Sequence, residues 1–147
     1  MAVELDDFDR RILAVLRADA RASNLDIAER VALSHSAISR RIRRLEESGV
    51  VRGYGARVDP AALGETVHAF VSVHRQSHVP ALELARALAA IDDVAGCWIV
   101  SGDCDVQIEV VARDMTHFSQ IMLARVQNVP GVAATRSAFI LEALKER

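Results

Sequence analysis

One stretch constrains this chain more than any other: Ser34-His35-Ser36-Ala37-Ile38-Ser39-Arg40-Arg41-Ile42-Arg43-Arg44-Leu45-Glu46-Glu47-Ser48-Gly49. Ser34 is suited to cap the start of a helix and Gly49 to end it in a left-handed conformation. Ile38, Ile42 and Leu45 recur at i, i+4, i+7 and so fall on one stripe. Away from that stripe lie Ser36, Ser39, Arg40 and Arg43, hydroxyls first and guanidinium groups further along. A helix of this kind buries one side and offers the other to a polyanion. Upstream, Leu5, Phe8, Ile12, Val15 and Leu16 predict a helix from Asp6 to about Ala18, with Asp6 and Asp7 at the positive end of its dipole. Polar Arg21-Ala22-Ser23-Asn24 interrupts it, and Leu25, Ala28 and Val31 then predict a short buried-face helix over Leu25–Val31. Ala32-Leu33-Ser34 makes a tight turn. Three helices, the last two joined this closely, form a helix-turn-helix pattern.

After Gly49 the periodicity changes. Val50–Val58, with glycines at 53 and 55, reads as a β-hairpin or extended ribbon, and Asp59-Pro60-Ala61-Ala62-Leu63-Gly64 as a boundary. Beyond it, strand patterns fall at 66–74, 94–101, 106–111 and 132–144, and helical patterns at 80–91 and 116–127. Leu84, Leu88 and Ile91 are in register on the first of these helices, and Phe118, Ile121, Met122 and Val126 on the second. The order β-α-β-β-α-β is that of a ferredoxin-like domain. The expected class is therefore α+β: a helix-turn-helix domain over 1–50, a ribbon or linker over 51–64, and a ferredoxin-like domain over 65–147.

Charge placement supports the division. The net charge is −2, yet four arginines crowd into Arg40–Arg44. Local rather than total charge sets phosphate contacts, so a nearly neutral domain with a basic stripe remains a DNA-binding candidate. No apolar run approaches the roughly 20 residues of a membrane span. The acidic N-terminal residues are unlike a targeting segment, and Cys97 and Cys104 lack a CxxC pairing, so free buried thiols in a reducing cytoplasm are expected. His74 and His78 are four apart but have no Cys or carboxylate support, so neither a metal site nor a cofactor is expected. No Ser-His-Asp arrangement, P-loop or GxGxxG motif suggests catalysis. Trp98 is read as a packing residue.

The chain resembles the Lrp/AsnC (feast/famine) transcriptional regulators over its length. The resemblance is carried by Leu5-Asp6-x-x-Asp9-x-x-Ile12-Leu13, by Arg21-x-Ser23-Asn24-x-x-Ile27-Ala28, and by Leu33-Ser34-x-Ser36-x-x-x-x-Arg41-Ile42-x-Arg44-Leu45-Glu46-x-x-Gly49-Val50-Val51-x-Gly53-Tyr54. Later come Ser101-Gly102-Asp103-x-Asp105, Asp114-Met115 and Pro130-Gly131-Val132-x-x-Thr135-Arg136-Ser137. It implies an amino-acid-responsive DNA-binding regulator that forms homodimers and assembles further, often to octamers.

Helix-turn-helix docking brings the start of the second helix to base edges. The DNA-binding candidates are Ser34, His35, Ser36, Ser39, Arg40, Arg43 and Arg44, with Ser36, Ser39, Arg40 and Arg43 foremost. Arg41 and Arg44 flank the buried stripe and have Glu46 or Glu47 as alternative partners. Gly102-Asp103-Cys104-Asp105 is in plain terms a turn between strands; the resemblance implies an effector loop facing an amino acid between neighbouring dimers. A carboxylate suits an α-ammonium, and backbone N–H groups suit an α-carboxylate. Gly102, Asp103 and Asp105 are the candidate contacts, Asp105 foremost, while Thr135 and Ser137 either line the pocket or pair within the sheet. Many relatives have an aromatic at the position of Cys104 and often another at that of Val106, which implies a roomier pocket, a ligand other than leucine, or no ligand response. The rival readings are an architectural DNA-wrapping regulator without ligand control and a ferredoxin-like dimeric enzyme. An enzyme has no use for the basic helix.

Overall fold

Two helices start on the same device. Asp6 accepts the Asp9 N–H at 2.8 Å while the Asp9 carboxylate takes the Asp6 N–H at 3.1 Å, and α1 (Asp7–Ala18) follows. Ser23 and Asp26 make the same reciprocal cap for α2 (Asn24–Val31). Ala32, at φ +58°, turns the chain into α3 (His35–Glu47), which Ser34 caps through the Ala37 N–H. At its far end Gly49 takes φ +72°, and its N–H reaches the Glu46 carbonyl. Ile12, Ile27, Ala28, Val31, Ile38, Ile42 and Leu45 close the core of these helices. Leu25, expected inside, is exposed, because the inward position of α2 belongs to Ile27.

The computed structural model describes residues 4–144, and the chain divides into two compact units between Arg57 and Val58. Of the hairpin and the extended ribbon expected over Val50–Val58, the hairpin does not form: no strand occurs there. Two short strands without a third neighbour are marginal, and no sheet edge lies beside this segment within its unit. Val50 and Val51 instead pack against the helical core, and the Tyr54 hydroxyl donates to Glu46 Oε1 at 2.8 Å.

The second unit opens with a short 3₁₀ turn, Pro60–Leu63. It continues as β1 (Val67–Arg75), α4 (Ala81–Ala89), β2 (Val94–Ile99), β3 (Val106–Ala112), α5 (Met115–Gln120) and β4 (Val132–Phe139). The sheet order is β2-β3-β1-β4 with every pairing antiparallel, which with this chain order is the ferredoxin-like arrangement. Ala69, Val71 and Val73 of β1 and Val106, Ile108 and Val110 of β3 meet the helices on one face. α5 continues through a π-helical turn, Ile121–Val126, after which the Asn128 side chain caps the Leu123 and Ala124 carbonyls. The last strand ends at Phe139 rather than Leu144. Pairing with β1 runs out there, and Leu141 and Leu144 are almost fully exposed.

Candidate nucleic-acid interface and effector loop

The four arginines of α3 divide into two pairs. Arg40 and Arg43 are exposed and have no carboxylate partner among the described residues. Ser34, His35, Ser36 and Ser39 are exposed on the same helix and at its cap, with the Ser34 and Ser36 hydroxyls 3.3 Å apart. Arg41 and Arg44 are paired with carboxylates, but not with Glu46 or Glu47. Arg41 Nη1 lies 2.7 Å from Asp6 Oδ2 and 2.8 Å from Asp9 Oδ1, and its guanidinium sits 5.4 Å from the centre of the Phe8 ring. Arg44 closes on the other oxygen of Asp9. Glu46 is the acceptor for Tyr54, which leaves α1 as the arginines' partner. Arg44, counted among the DNA-facing residues on sequence, is thus engaged within the unit.

Asp9 is completely buried, the only buried charged residue among those described. Its oxygens serve the Asp6 N–H, Arg41 and Arg44, which satisfies the carboxylate. The Asp9 N–H, and then Arg41, hold the Asp6 carboxyl below the usual carboxylate range, and Asp6 and Asp9 raise Arg41 in turn. This clamp was missed on sequence, although a signal was present. Leu5, Asp9, Ile12 and Leu16 share one helical stripe, and an acid on a buried stripe requires a cation.

At the other candidate site, the turn between β2 and β3 is closed by the Val100 N–H on the Asp105 carbonyl and tied to β1 by the Asp105 N–H on Val73. Asp105 Oδ2 accepts the Arg75 backbone N–H at 3.0 Å and Oδ1 accepts its Nε at 2.9 Å. The Arg75 N–H, more than its guanidinium, holds the Asp105 carboxyl below its ordinary value. Arg75 also donates to the Ser77 and Val79 carbonyls, so one ion pair fixes two loops. Asp103 is exposed and without a side-chain partner among the described residues. Gly102 stands at φ +132°, a conformation that strains any residue with a Cβ.

Thr135 pairs with Val73, and Val73 with Val106, so Thr135 lies two strand spacings, roughly 10 Å, from the start of β3. The loop and Thr135 therefore share one end of the sheet without touching. Thr135 and Ser137 face the helix side, as do their partners Val73 and Val71, and Gln127 Nε2 reaches Thr135 Oγ1 at 3.4 Å. Cys104 and Cys97 are half-buried rather than buried, and burial raises the Cys97 thiol. Trp98 is 46 % exposed, its ring over Gly96 on the sheet face turned away from the helices. That position corrects its reading as a packing residue: Cys97, not Trp98, points at α4, donating to the Ala85 carbonyl.

A three-helix unit with a basic, exposed second helix, followed by a ferredoxin-like unit, defines a helix-turn-helix regulator class. Residues 5–52 match the winged helix-turn-helix DNA-binding family and residues 66–147 the Lrp/AsnC ligand binding domain. The chain is 34% identical over 146 residues to the leucine-responsive regulatory protein of Rhizobium meliloti (strain 1021), covering 98% of this chain and 94% of the relative. It is 37% identical over 147 residues to the Bkd operon transcriptional regulator of Pseudomonas aeruginosa, covering 98% and 95%. A transcriptional regulator of Neisseria meningitidis, solved as an L-Met complex, superposes with a TM-score of 0.91 at 33% identity, covering 97% and 94%. The chain belongs to the Lrp/AsnC family of transcriptional regulators, with a DNA-binding unit and a ligand-binding domain. Among the described residues no helix is long and apolar enough to cross a membrane.

Proposed function

We propose that this regulator binds double-stranded DNA through Ser34, His35, Ser36, Ser39, Arg40 and Arg43, and that an L-amino acid bound at the Gly102–Asp105 turn controls it. The observation that carries the DNA assignment is the pair of exposed, unpartnered guanidinium groups on the helix that enters the major groove in this motif. Arginine reads guanine through O6 and N7, the serine hydroxyls suit base edges or phosphate, and the N–H groups at the start of α3 suit a phosphate.

For the effector, the relative solved with L-Met supports an amino-acid ligand. Asp103 has the free carboxylate for an α-ammonium, while Asp105, already engaged by Arg75, keeps the turn in shape. Gly102 lets the backbone approach the ligand. Thr135, roughly 10 Å across the sheet from the turn, and Ser137, two residues further along β4, contribute to a site completed by a second copy of the chain. The opposite, helix-free sheet face is suited to pair two copies into a dimer. Phe70 and Trp98 stand exposed on it, and a hollow of about 740 Å³ is lined by His68, Phe70, Glu109 and Val111. Dimers formed this way, and octamers built from them, would place copies of α3 along one duplex in the cytoplasm. The chain acts on this reading by binding, not by catalysis.

The test is calorimetric titration of the full chain with the twenty L-amino acids, alongside anisotropy on a mixed-sequence duplex with and without each ligand. At least one amino acid should bind and change DNA affinity or oligomer size, and Asp103→Asn should weaken that binding. Absence of any binder would refute the effector assignment, and absence of duplex binding at low salt the DNA assignment.

A further inference from the structure

Four guanidinium groups within five residues would grip any phosphate backbone, whatever its sequence. Phosphate contacts supply affinity that carries no sequence information, and they compete with recognition at every non-specific site. In α3 two of the four are taken out of play by α1. Arg41 is held by Asp6 and Asp9 together, and Arg44 by the second oxygen of Asp9. Arg44 follows Arg40 by four residues and so lies on the same side of the helix, where a released guanidinium would join the DNA-facing row. The holding group is not one that rearranges easily: Asp9 is fully buried, and a buried carboxylate without its cations is costly.

We propose that Asp6 and Asp9 are specificity-determining positioning residues that withhold Arg41 and Arg44 from DNA phosphates, leaving binding to depend on Arg40, Arg43 and the serines. The proposal rests on the DNA-binding assignment above. It separates two quantities that a scaffold role would move together. Loss of the acids raises affinity for arbitrary sequence and lowers discrimination, whereas simple loosening of the unit lowers affinity for both.

Asp6→Asn is the cleaner probe, because asparagine caps a helix as well as aspartate while it removes the charge facing Arg41. Asp9→Asn removes the charge facing both arginines. The full-length wild type is first used to select a preferred duplex from a random library. Anisotropy across a salt series then gives its affinity, and that of each variant, for the preferred duplex and a mixed-sequence duplex of equal length. For Asp9→Asn the mixed-sequence duplex should bind more tightly, with the salt slope steeper by about 0.9 for the released Arg44 and by more where Arg41, still facing Asp6, is released as well. The preferred-to-mixed ratio should fall about tenfold. Asp6→Asn, which leaves Arg41 its Asp9 contact and Arg44 untouched, should shift both in the same direction by less than half as much, and decides the matter alone if circular dichroism shows Asp9→Asn unfolded. Equal losses on both duplexes with unchanged slope, or an unchanged ratio, overturn the proposal. Wild type that binds neither duplex overturns the DNA assignment itself, a result distinguishable from unaffected variants of a chain that binds.

Discussion

Each of the two units has a candidate site organised by an aspartate paired with arginine, and the pairs do different things. Asp9 is completely buried and joins α1 to α3 through Arg41 and Arg44. Asp105 is about a third exposed, and its pairing with Arg75 fixes a surface turn. The chemistry is the same, so burial sets the role. Where water is excluded, an unpaired carboxylate is intolerable and its cations are held in place. Where water competes, the contact shapes a surface turn at little cost.

The comparison breaks most readily at Asp9. Asp9→Ala should lower stability by about 2 kcal/mol, read as a drop in the urea midpoint, because it removes the reciprocal cap bond and the buried acceptor of Arg41 and Arg44. Asp105→Ala should cost far less stability and show itself instead as weaker amino-acid binding in calorimetry. Equal destabilisation by the two would end the distinction. Next in size, Arg40→Ala and Arg43→Ala should each cost about 1–3 kcal/mol of DNA discrimination if they read guanine, with stability unchanged within about 0.5 kcal/mol.

A pH series sharpens the contrast further. Asp6 and Asp105 both have depressed values in the folded chain, through hydrogen bonds from the Asp9 and Arg75 N–H groups first and the arginines after them. Their stabilisation is therefore fully present above about 3.9, the unfolded carboxylate value, and is lost as pH falls through their folded values. Urea midpoints measured from pH 5 to pH 2 should fall, and the fall should be shallower in Asp105→Asn. The smallest effect is optical. A Cβ at Gly96 would come 2.2 Å from the Trp98 ring, so Gly96→Ala should displace the only tryptophan and shift its fluorescence with little change in fold.

Where one period governed a segment, the sequence was readable. The stripe Ile38, Ile42, Leu45 and the alternation Ala69, Val71, Val73 both lie where the spacing put them. Misreadings arose where local pattern met a tertiary choice. Leu25 and Ile27 are both apolar, and only the packing of α2 on its neighbours decides which turns inward. Val50–Val58 has strand-like residues, but a strand requires a partner, which sequence cannot show. Trp98 reads as a packing residue, whereas its place on β2 is set by Cys97 pointing to α4. The Asp103 turn was visible as a motif. The engagement of Asp105 by Arg75, thirty residues away, was not, since no periodicity links a strand end to a distant loop. The Asp9 clamp lay between these cases: its misplaced charge was legible, its partners only by folding α1 against α3.

The central claim is that the arginines of α3 are partitioned, Arg40 and Arg43 toward DNA and Arg41 and Arg44 toward the protein. It is tested most directly by the salt dependence of duplex binding in Arg40→Ala and Arg41→Ala, each measured beside its urea midpoint. Arg40→Ala should flatten the slope by about 0.9 with stability intact, and Arg41→Ala should lower stability with the slope unchanged. A slope that flattens as much in Arg41→Ala as in Arg40→Ala would contradict the account.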